Sequence, residues 1–203
     1  MREKITIPVG DIRLEGILVR KSTSKSGIVT HPHPLYGGSM YNKVVQAAMG
    51  ALNQAAWTGL CFNFRGVEDS LGKYDNGIGE QEDLLAAVQF LAEQDIKPPV
   101  VIGYSFGAWV AARAWPRLTL IGVSQLVMIA PPVAMMNFND VPNETAVSLI
   151  ICGQKDQIGP PDQVLNFGRG LKQPVEPVII EGTDHFFNGR EAELRDIIVS
   201  HLK

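Results

Sequence analysis

Apolar and polar positions follow two different periods along the chain, and the change of period separates predicted strands from predicted helices. Residues 5–9 and 12–20 alternate between apolar and polar side chains, as the strands of a half-solvated hairpin do. The later strands are mostly continuous apolar runs, which is typical of strands that are buried on both faces. Together with a short strand at 27–30, these runs lie at 60–64, 100–104, 126–130, 147–152 and 175–180.

Segments with helical spacing lie between these strands. Residues 42–57 place apolar side chains on one helical face, with Asn42 as the predicted N-cap, and a second helix is predicted at 79–93. Further helices are predicted at 105–115, where Pro116 is expected to end the helix, and at 161–171 and 189–201. This alternation predicts the α/β class: a three-layer αβα sandwich, mostly parallel, with an antiparallel N-terminal edge. The whole chain, residues 1–203, is expected to form a single domain.

Composition and charge restrict the expected partners and compartment. Apolar residues make up 45% of the chain and charged residues 19%, which is an ordinary balance for a globular domain. The formal net charge of −3 gives no reason to expect a nucleic acid or an anionic membrane surface as a partner. No apolar signal segment follows the N-terminus, so a cytoplasmic location is expected. Cys61 and Cys152 lie in apolar runs, which favours buried free thiols over a disulfide.

The segment VVIGYSFGAWVAARAW places Ser105 between a predicted buried strand and a predicted helix. Gly103 and Gly107 flank the serine at both second neighbours, which is the Gly-x-Ser-x-Gly pattern of a sharp strand-to-helix turn. Such a turn needs small flanking residues because the strand and the helix pass close together, and it exposes the serine Oγ. Sites in parallel sheets form beyond the carboxyl ends of the strands, where this turn lies. The pattern therefore predicts Ser105 as a nucleophile.

A serine nucleophile requires a base, and the base requires a carboxylate that orients it. His185 follows the last predicted strand and is expected to return to the same edge of the sheet as Ser105. Asp156 follows the strand at 147–152 and is the favoured carboxylate. Asp140, in the loop after the preceding strand, and Asp184, beside the histidine, remain alternatives.

The segment HPHPLYGGSM follows the third predicted strand and predicts part of an oxyanion hole. One N–H donor is expected from Phe106, directly after the nucleophile at a helix N-terminus. Pro32 and Pro34 have no N–H, which leaves Leu35 or Tyr36 as the second donor. Leu35 is the favoured one.

Two clusters of polar residues receive structural interpretations. His31 and His33 would share a face of an extended segment, as metal ligands can, but no third ligand follows at a useful spacing. They are expected to shape the loop, and neither a metal nor a cofactor is predicted. Arg65 is expected to pair with a carboxylate such as Asp83 rather than to clamp a substrate.

An apolar wall is predicted beside the nucleophile. Tyr36, Met135, Met136 and Phe138 are the candidate substrate-binding residues. The segment 131–146 between two predicted strands is too short for a helical cap, so the site is expected to be open.

Three motifs together resemble the α/β-hydrolase superfamily: GYSFG at 103–107, QKD at 154–156 and DHFF at 184–187. The HPHPLYGGSM segment, with NFRGV at 63–67 and GEQED at 79–83, narrows the resemblance to small lidless bacterial hydrolases. It places the chain near the dienelactone-hydrolase and dipeptidyl-peptidase-like branches, with serine where dienelactone hydrolases carry a cysteine. The resemblance covers nearly the whole chain. It implies a triad of Ser105, Asp156 and His185 with carboxylesterase-like activity.

The sequence therefore predicts a serine hydrolase that cleaves a small-molecule acyl ester through an acyl-enzyme. Two alternatives remain open within enzymes: the same triad acting on an amide, a lactone or a thioester, or transferring the acyl group to another acceptor. A third, from a different class, is a catalytically silent binding module on the same scaffold. Nothing in the sequence predicts an oligomeric state.

Overall fold

A mostly parallel sheet runs through the centre of the fold, and the computed structural model describes residues 2–203 of the chain. Within them the sheet has eight strands in the order β1-β2-β4-β3-β5-β6-β7-β8. The strands are β1 (Arg2–Val9), β2 (Ile12–Val19), β3 (Ser26–Thr30), β4 (Thr58–Phe62), β5 (Val100–Tyr104), β6 (Leu126–Ile129), β7 (Val147–Gly153) and β8 (Val178–Ile180). The β1–β2 and β2–β4 pairs are antiparallel and all other pairs are parallel, which confirms the predicted antiparallel edge.

Helices cover both faces of the sheet, which confirms the predicted three-layer sandwich. They are α1 (Lys43–Gln54), α2 (Gly79–Ala92), α3 (Phe106–Leu120), α4 (Pro161–Gly170) and α5 (Glu191–Leu202). Buried side chains of α1 and α5 form one apolar cluster with the sheet, and those of α2, α3 and α4 form the other. The predicted N-cap of α1 is confirmed, because Asn42 Oδ1 accepts the Val44 N–H at 2.9 Å.

Helix α3 extends beyond the predicted end at Pro116. The helix continues to Leu120 with Pro116 in its interior. A proline there removes one backbone hydrogen bond and crowds the carbonyl one turn earlier, at residue Ala112. Trp115 and Leu118 are buried on either side of the proline. Their packing in the apolar core stabilises the last turn of the helix and outweighs the lost hydrogen bond.

Strand β8 is shorter than the predicted strand at 175–180 and begins at Val178. The Val175 N–H donates to the carbonyl of Gly168 at 3.1 Å, which closes the end of α4 instead of extending the sheet. Pro177 has no N–H to donate to a neighbouring strand. The bond from Val175 and the missing N–H of Pro177 therefore exclude residues 175–177 from the strand.

The loop between β6 and β7 leaves the carboxyl end of the sheet uncovered. Residues 131–146, all of which are described, contain turns and bends but neither helix nor strand. They therefore form no cap domain, as predicted. No helix within residues 2–203 is long and apolar enough to cross a bilayer.

Candidate active site

Ser105 lies at the sharp turn between β5 and α3. Its backbone has φ 53° and ψ −118°, which is a strained conformation for a residue with a side chain. Two close approaches, of β5 to α3 and of α3 to the end of β3, require the flanking glycines. A Cβ on Gly103 would lie 2.4 Å from the Cα of Ala108, and one on Gly107 would lie 2.4 Å from the Oγ1 of Thr30. The turn therefore holds the serine side chain at the carboxyl edge of the sheet.

A continuous chain of hydrogen bonds joins Ser105 to a histidine and a carboxylate. The Nε2 of His185 lies 2.9 Å from the Oγ of Ser105, and its Nδ1 lies 2.8 Å from the Oδ2 of Asp156. The Oδ1 of Asp156 accepts the N–H groups of Ile158 and Gly159, each at 2.8 Å. Because an ionised carboxylate can only accept, Nδ1 carries the ring proton and Nε2 is free to accept the serine proton.

The two alternative carboxylates lie elsewhere. Asp140 is exposed, and its Oδ2 accepts from the side chain of Asn137 at 3.0 Å. Asp184 is also exposed, and its Oδ1 accepts the N–H of Phe186 within its own loop. Of the three candidate acids, only Asp156 is bonded to the His185 ring.

Tyr104 connects the nucleophile turn to the histidine loop. Its hydroxyl donates to the backbone carbonyl of His185 at 3.1 Å. Burial raises the pKa of Tyr104, with Asp156 and Asp184 adding to the effect, so the hydroxyl keeps its proton for this bond. The sequence indicated no role for Tyr104, because the contact spans 81 residues.

In the loop after β3, the N–H groups predicted as oxyanion donors are already hydrogen-bonded within the loop. The Leu35 N–H donates to the Nδ1 of His33 at 3.2 Å, and the Tyr36 N–H donates to the carbonyl of His33 at 3.1 Å. Within residues 2–203, neither the His33 N–H nor the Phe106 N–H has a protein acceptor. The favoured Leu35 N–H and its alternative, the Tyr36 N–H, are therefore occupied, whereas the His33 N–H, which the sequence did not suggest as a donor, is free.

His31 is a structural histidine. It is fully buried, its Nδ1 donates to the carbonyl of Pro32 at 2.7 Å, and its Nε2 accepts the N–H of Phe64 at 3.0 Å. Both ring nitrogens are thus used in fixing the loop after β3. Among residues 2–203 there is no group of three His, Cys, Asp or Glu side chains arranged to hold a metal ion.

A cavity of about 200 Å³ opens beside Ser105. Tyr36, Met135 and Met136 line it, whereas Phe138 packs against Phe167 with their ring centroids 5.0 Å apart and is not part of the lining. Phe106, predicted as an oxyanion donor, also lines the cavity, as do Gly37 and Gly38 of the predicted oxyanion loop. The sequence suggested no substrate-binding role for the other lining residues, which are Pro32, His33, Asn42, Tyr104, Pro132, Ile158 and Phe186. Ile158 and Phe186 could have been predicted from the sequence, because they lie within two residues of Asp156 and His185.

Arg65 forms the predicted pair with Asp83. The Nη2 of Arg65 lies 2.7 Å from the Oδ1 of Asp83, and the Arg65 backbone N–H donates to Oδ2 at 2.9 Å. The prediction is confirmed, and the guanidinium is fixed at the start of α2 rather than in the cavity.

Comparisons with known proteins agree with this architecture. Residues 29–147 match the model of a family described as the alpha/beta hydrolase family. The chain is similar to an alpha-beta serine hydrolase homologue from Coxiella burnetii (37% identity, 99% of this chain and 97% of that one, TM-score 0.87). It is also similar to a member of the a/b serine hydrolases without lid from Xanthomonas campestris (33%, 99% and 93%, TM-score 0.87). An uncharacterised protein of Rickettsia prowazekii is 34% identical over 94% of this chain and 84% of its own length.

Proposed function

Because this chain belongs to the alpha/beta hydrolase family, we propose that it hydrolyses small carboxylic esters with Ser105 as the nucleophile. The observation that carries the proposal is the chain of hydrogen bonds from Ser105 through His185 to Asp156 at the mouth of an apolar cavity. A serine hydroxyl becomes nucleophilic only when a base can take its proton, and His185 is within reach of that proton.

In the first half of the reaction, the Oγ of Ser105 attacks the ester carbonyl carbon while its proton passes to the Nε2 of His185. The tetrahedral intermediate collapses, the alcohol leaves with that proton, and an acyl-enzyme remains. A water molecule then loses a proton to His185 and attacks the acyl carbon. The acid is released and Ser105 regains its proton. Asp156 holds the Nδ1–H throughout and stabilises the imidazolium that forms twice in each cycle.

The oxyanion of each tetrahedral intermediate needs two preorganised donors. We assign the first to the Phe106 N–H, at the N-terminus of α3, and the second to the His33 N–H. The occupied amides of Leu35 and Tyr36 support this assignment, as does the position of His33 in the cavity lining. Pro32 and Pro34 have no N–H, so no neighbouring donor competes with the His33 N–H.

The test combines a covalent probe with turnover of p-nitrophenyl butyrate. We expect a fluorophosphonate to label the wild-type protein, and Ser105→Ala to abolish both labelling and turnover. Asp156→Asn should lower kcat on the order of 10⁴-fold because the Nδ1–H loses its anionic acceptor. Asp140→Asn, which changes an exposed carboxylate, should keep wild-type kcat.

Three outcomes would contradict the proposal. Turnover that survives Ser105→Ala would assign the chemistry to another group. A loss of activity in Asp140→Asn but not in Asp156→Asn would assign the acid elsewhere. A protein that no fluorophosphonate labels would indicate a binding module. Adding short alcohols to the assay separates hydrolysis from acyl transfer, because a transferase would form the new ester in preference to the free acid.

A further inference from the structure

The imidazole of His33 lies at the centre of an aromatic cluster beside the nucleophile. Its ring centroid is 4.7 Å from that of Tyr36, 5.1 Å from that of Tyr74 and 4.8 Å from that of Phe106. Phe106 directly follows the nucleophile, whereas Tyr74 belongs to the loop between β4 and α2. The ring therefore joins three segments of the chain that meet at the proposed oxyanion hole.

Both nitrogens of the His33 ring are hydrogen-bonded. Nδ1 accepts the N–H of Leu35 at 3.2 Å, and Nε2 lies 3.2 Å from the hydroxyl of Tyr74. Because Nδ1 accepts, the neutral ring must carry its proton on Nε2 and donate it to the Tyr74 oxygen. Burial lowers the pKa of His33, although the nearby Glu80 carboxylate acts in the opposite direction, and the neutral form is favoured.

These contacts fix the turn that carries the His33 amide. His33 is the N-cap of a single 3₁₀ turn, Pro34–Tyr36, and its side chain caps that turn. Its carbonyl accepts from Tyr36 and Gly38, each at 3.1 Å, so the peptide on its carboxyl side is held as well. A Cβ on Gly38 would lie 2.1 Å from the carbonyl oxygen of Pro32, so the two ends of the turn are in close contact. The direction of the His33 N–H is set by this arrangement.

The loop that carries Tyr74 is itself held firmly. Glu80 is fully buried, and its two oxygens accept the N–H of Asp75 at 2.9 Å and that of Gly77 at 2.8 Å. Gly77 packs so closely on α3 that a Cβ there would lie 2.2 Å from the ring of Trp109. The backbone next to Tyr74 is therefore fixed, which keeps the tyrosine beside the His33 ring.

We propose that the side chains of His33 and Tyr74 are positioning residues for the second oxyanion donor. Nδ1 of His33 holds the turn, the Tyr74 hydroxyl holds the ring, and together they aim the His33 N–H at the developing oxyanion beside the Phe106 N–H. The inference rests on the proposed function, since it assigns both side chains to the same reaction. A donor that matters only in the transition state affects kcat and leaves ground-state binding unchanged.

The test compares Tyr74→Phe, His33→Asn and His33→Phe, with Tyr41→Phe as the matched control on a partly exposed tyrosine outside the cavity lining. Tyr74→Phe removes one hydroxyl and should lower kcat about tenfold at constant KM. His33→Asn keeps an acceptor for the Leu35 N–H but loses the Tyr74 contact, so it should match Tyr74→Phe. His33→Phe loses both contacts and should lower kcat on the order of 10²-fold, the effect of losing one oxyanion donor.

A pair of ketone inhibitors separates this role from a merely structural one. A trifluoromethyl ketone adds to the Oγ of Ser105, with the serine proton passing to His185, and its carbonyl oxygen becomes an oxyanion. Its affinity should fall in each variant by the same factor as kcat. The matched methyl ketone, which stays in the carbonyl form, should bind every variant equally well.

The proposal fails if Tyr74→Phe has the kcat and the trifluoromethyl-ketone affinity of Tyr41→Phe. It also fails if the kcat of His33→Asn is as low as that of His33→Phe, because the side-chain bond to the Leu35 N–H would then have no role. Should His33→Phe not fold, the single-hydroxyl change at Tyr74 decides the question. Failure here is distinct from failure of the proposed function, since Ser105→Ala would still abolish turnover.

Discussion

His31 lies buried at the end of β3 with both ring nitrogens hydrogen-bonded to the backbone. Burial lowers its pKa from 6.5 to about 4, and the bond to the Pro32 carbonyl opposes the shift only in part. The unfolded chain therefore binds a proton between pH 6.5 and about 4 that the folded chain does not. The contribution of His31 to the free energy of unfolding is fully present above pH 6.5 and is lost as the pH falls towards about 4. The shift corresponds to about 3 kcal/mol.

We expect His31→Gln to flatten the pH dependence of the free energy of unfolding in that window. Glutamine can still accept the Phe64 N–H, but it does not titrate. Urea denaturation at several pH values between 7.5 and 4.5 measures the slope. His201→Gln, a change at an exposed histidine, should keep most of the wild-type slope. Equal slopes for His31→Gln and the wild type would show that other groups carry the acid sensitivity.

At the level of elements, the position of α3 depends on how closely its first turn approaches the end of β3. We expect Gly107→Ala to cost about 1–3 kcal/mol of stability, because the added methyl meets Thr30 and the carbonyl of His31 and α3 has to move. Movement of α3 displaces Ser105, so kcat should fall at the same time. Gly170→Ala, at the end of α4 where a Cβ meets nothing within 4 Å, is the control: it should not lower stability and should keep wild-type kcat. Urea denaturation and ester turnover measure the two effects.

Helix α2 carries two neighbouring acidic residues in very different environments. Asp83 is fully buried against Arg65, whose side chain is 17% exposed, whereas Glu82 pairs with Arg117 on the surface. Asp83→Asn leaves a largely buried guanidinium without its counter-charge and should cost about 3 kcal/mol of stability. Glu82→Gln removes a screened surface pair and should cost less than about 1 kcal/mol. Equal losses in denaturant would contradict the role of burial in this difference.

Element positions were predictable wherever the hydrophobic period was clear. Strand β5 has the predicted bounds, and α1 has the predicted N-cap, because a continuous apolar run and an Asn before a helical stripe are local signals. The end of α3 and the start of β8 were wrong, because packing around Pro116 and a hydrogen bond from Val175 lie outside the local pattern. Local sequence thus predicts that an element exists better than where it ends.

At the scale of the whole molecule, the topology of the sheet predicts which loops meet at the candidate site, but not the side-chain contacts within it. Ser105, Asp156 and His185 each follow a predicted strand, and parallel strands bring their carboxyl ends to one edge. The Leu35 N–H is occupied by the side chain of His33, a contact that no sequence spacing predicts. Phe138 was misplaced for a similar reason, since its partner Phe167 lies on a helix predicted separately.

From the charge of the whole molecule and of its cavity lining, we expect a preference for uncharged substrates. None of the described residues that line the cavity is Asp, Glu, Lys or Arg, and the chain carries a formal net charge of −3. A carboxylate on the acyl group would therefore lose its hydration without gaining a counter-ion, which costs several kcal/mol. Arg65, the largely buried cation that follows β4, does not line the cavity and is paired with Asp83.

Three p-nitrophenyl esters test this expectation. We expect the glutarate monoester, with a carboxylate in place of the terminal methyl, to have a kcat/KM at least about tenfold below that of the valerate ester. The methyl-capped glutarate ester has the same backbone without the charge, so it should fall close to valerate. All three esters release the same p-nitrophenol, and kcat/KM reports only the steps up to that release, so the difference should lie in binding and acylation, which stopped-flow bursts resolve. A glutarate monoester that equals or exceeds its methyl-capped form would mean that a cation reaches the bound acyl group, and Arg65 would be the first residue to substitute.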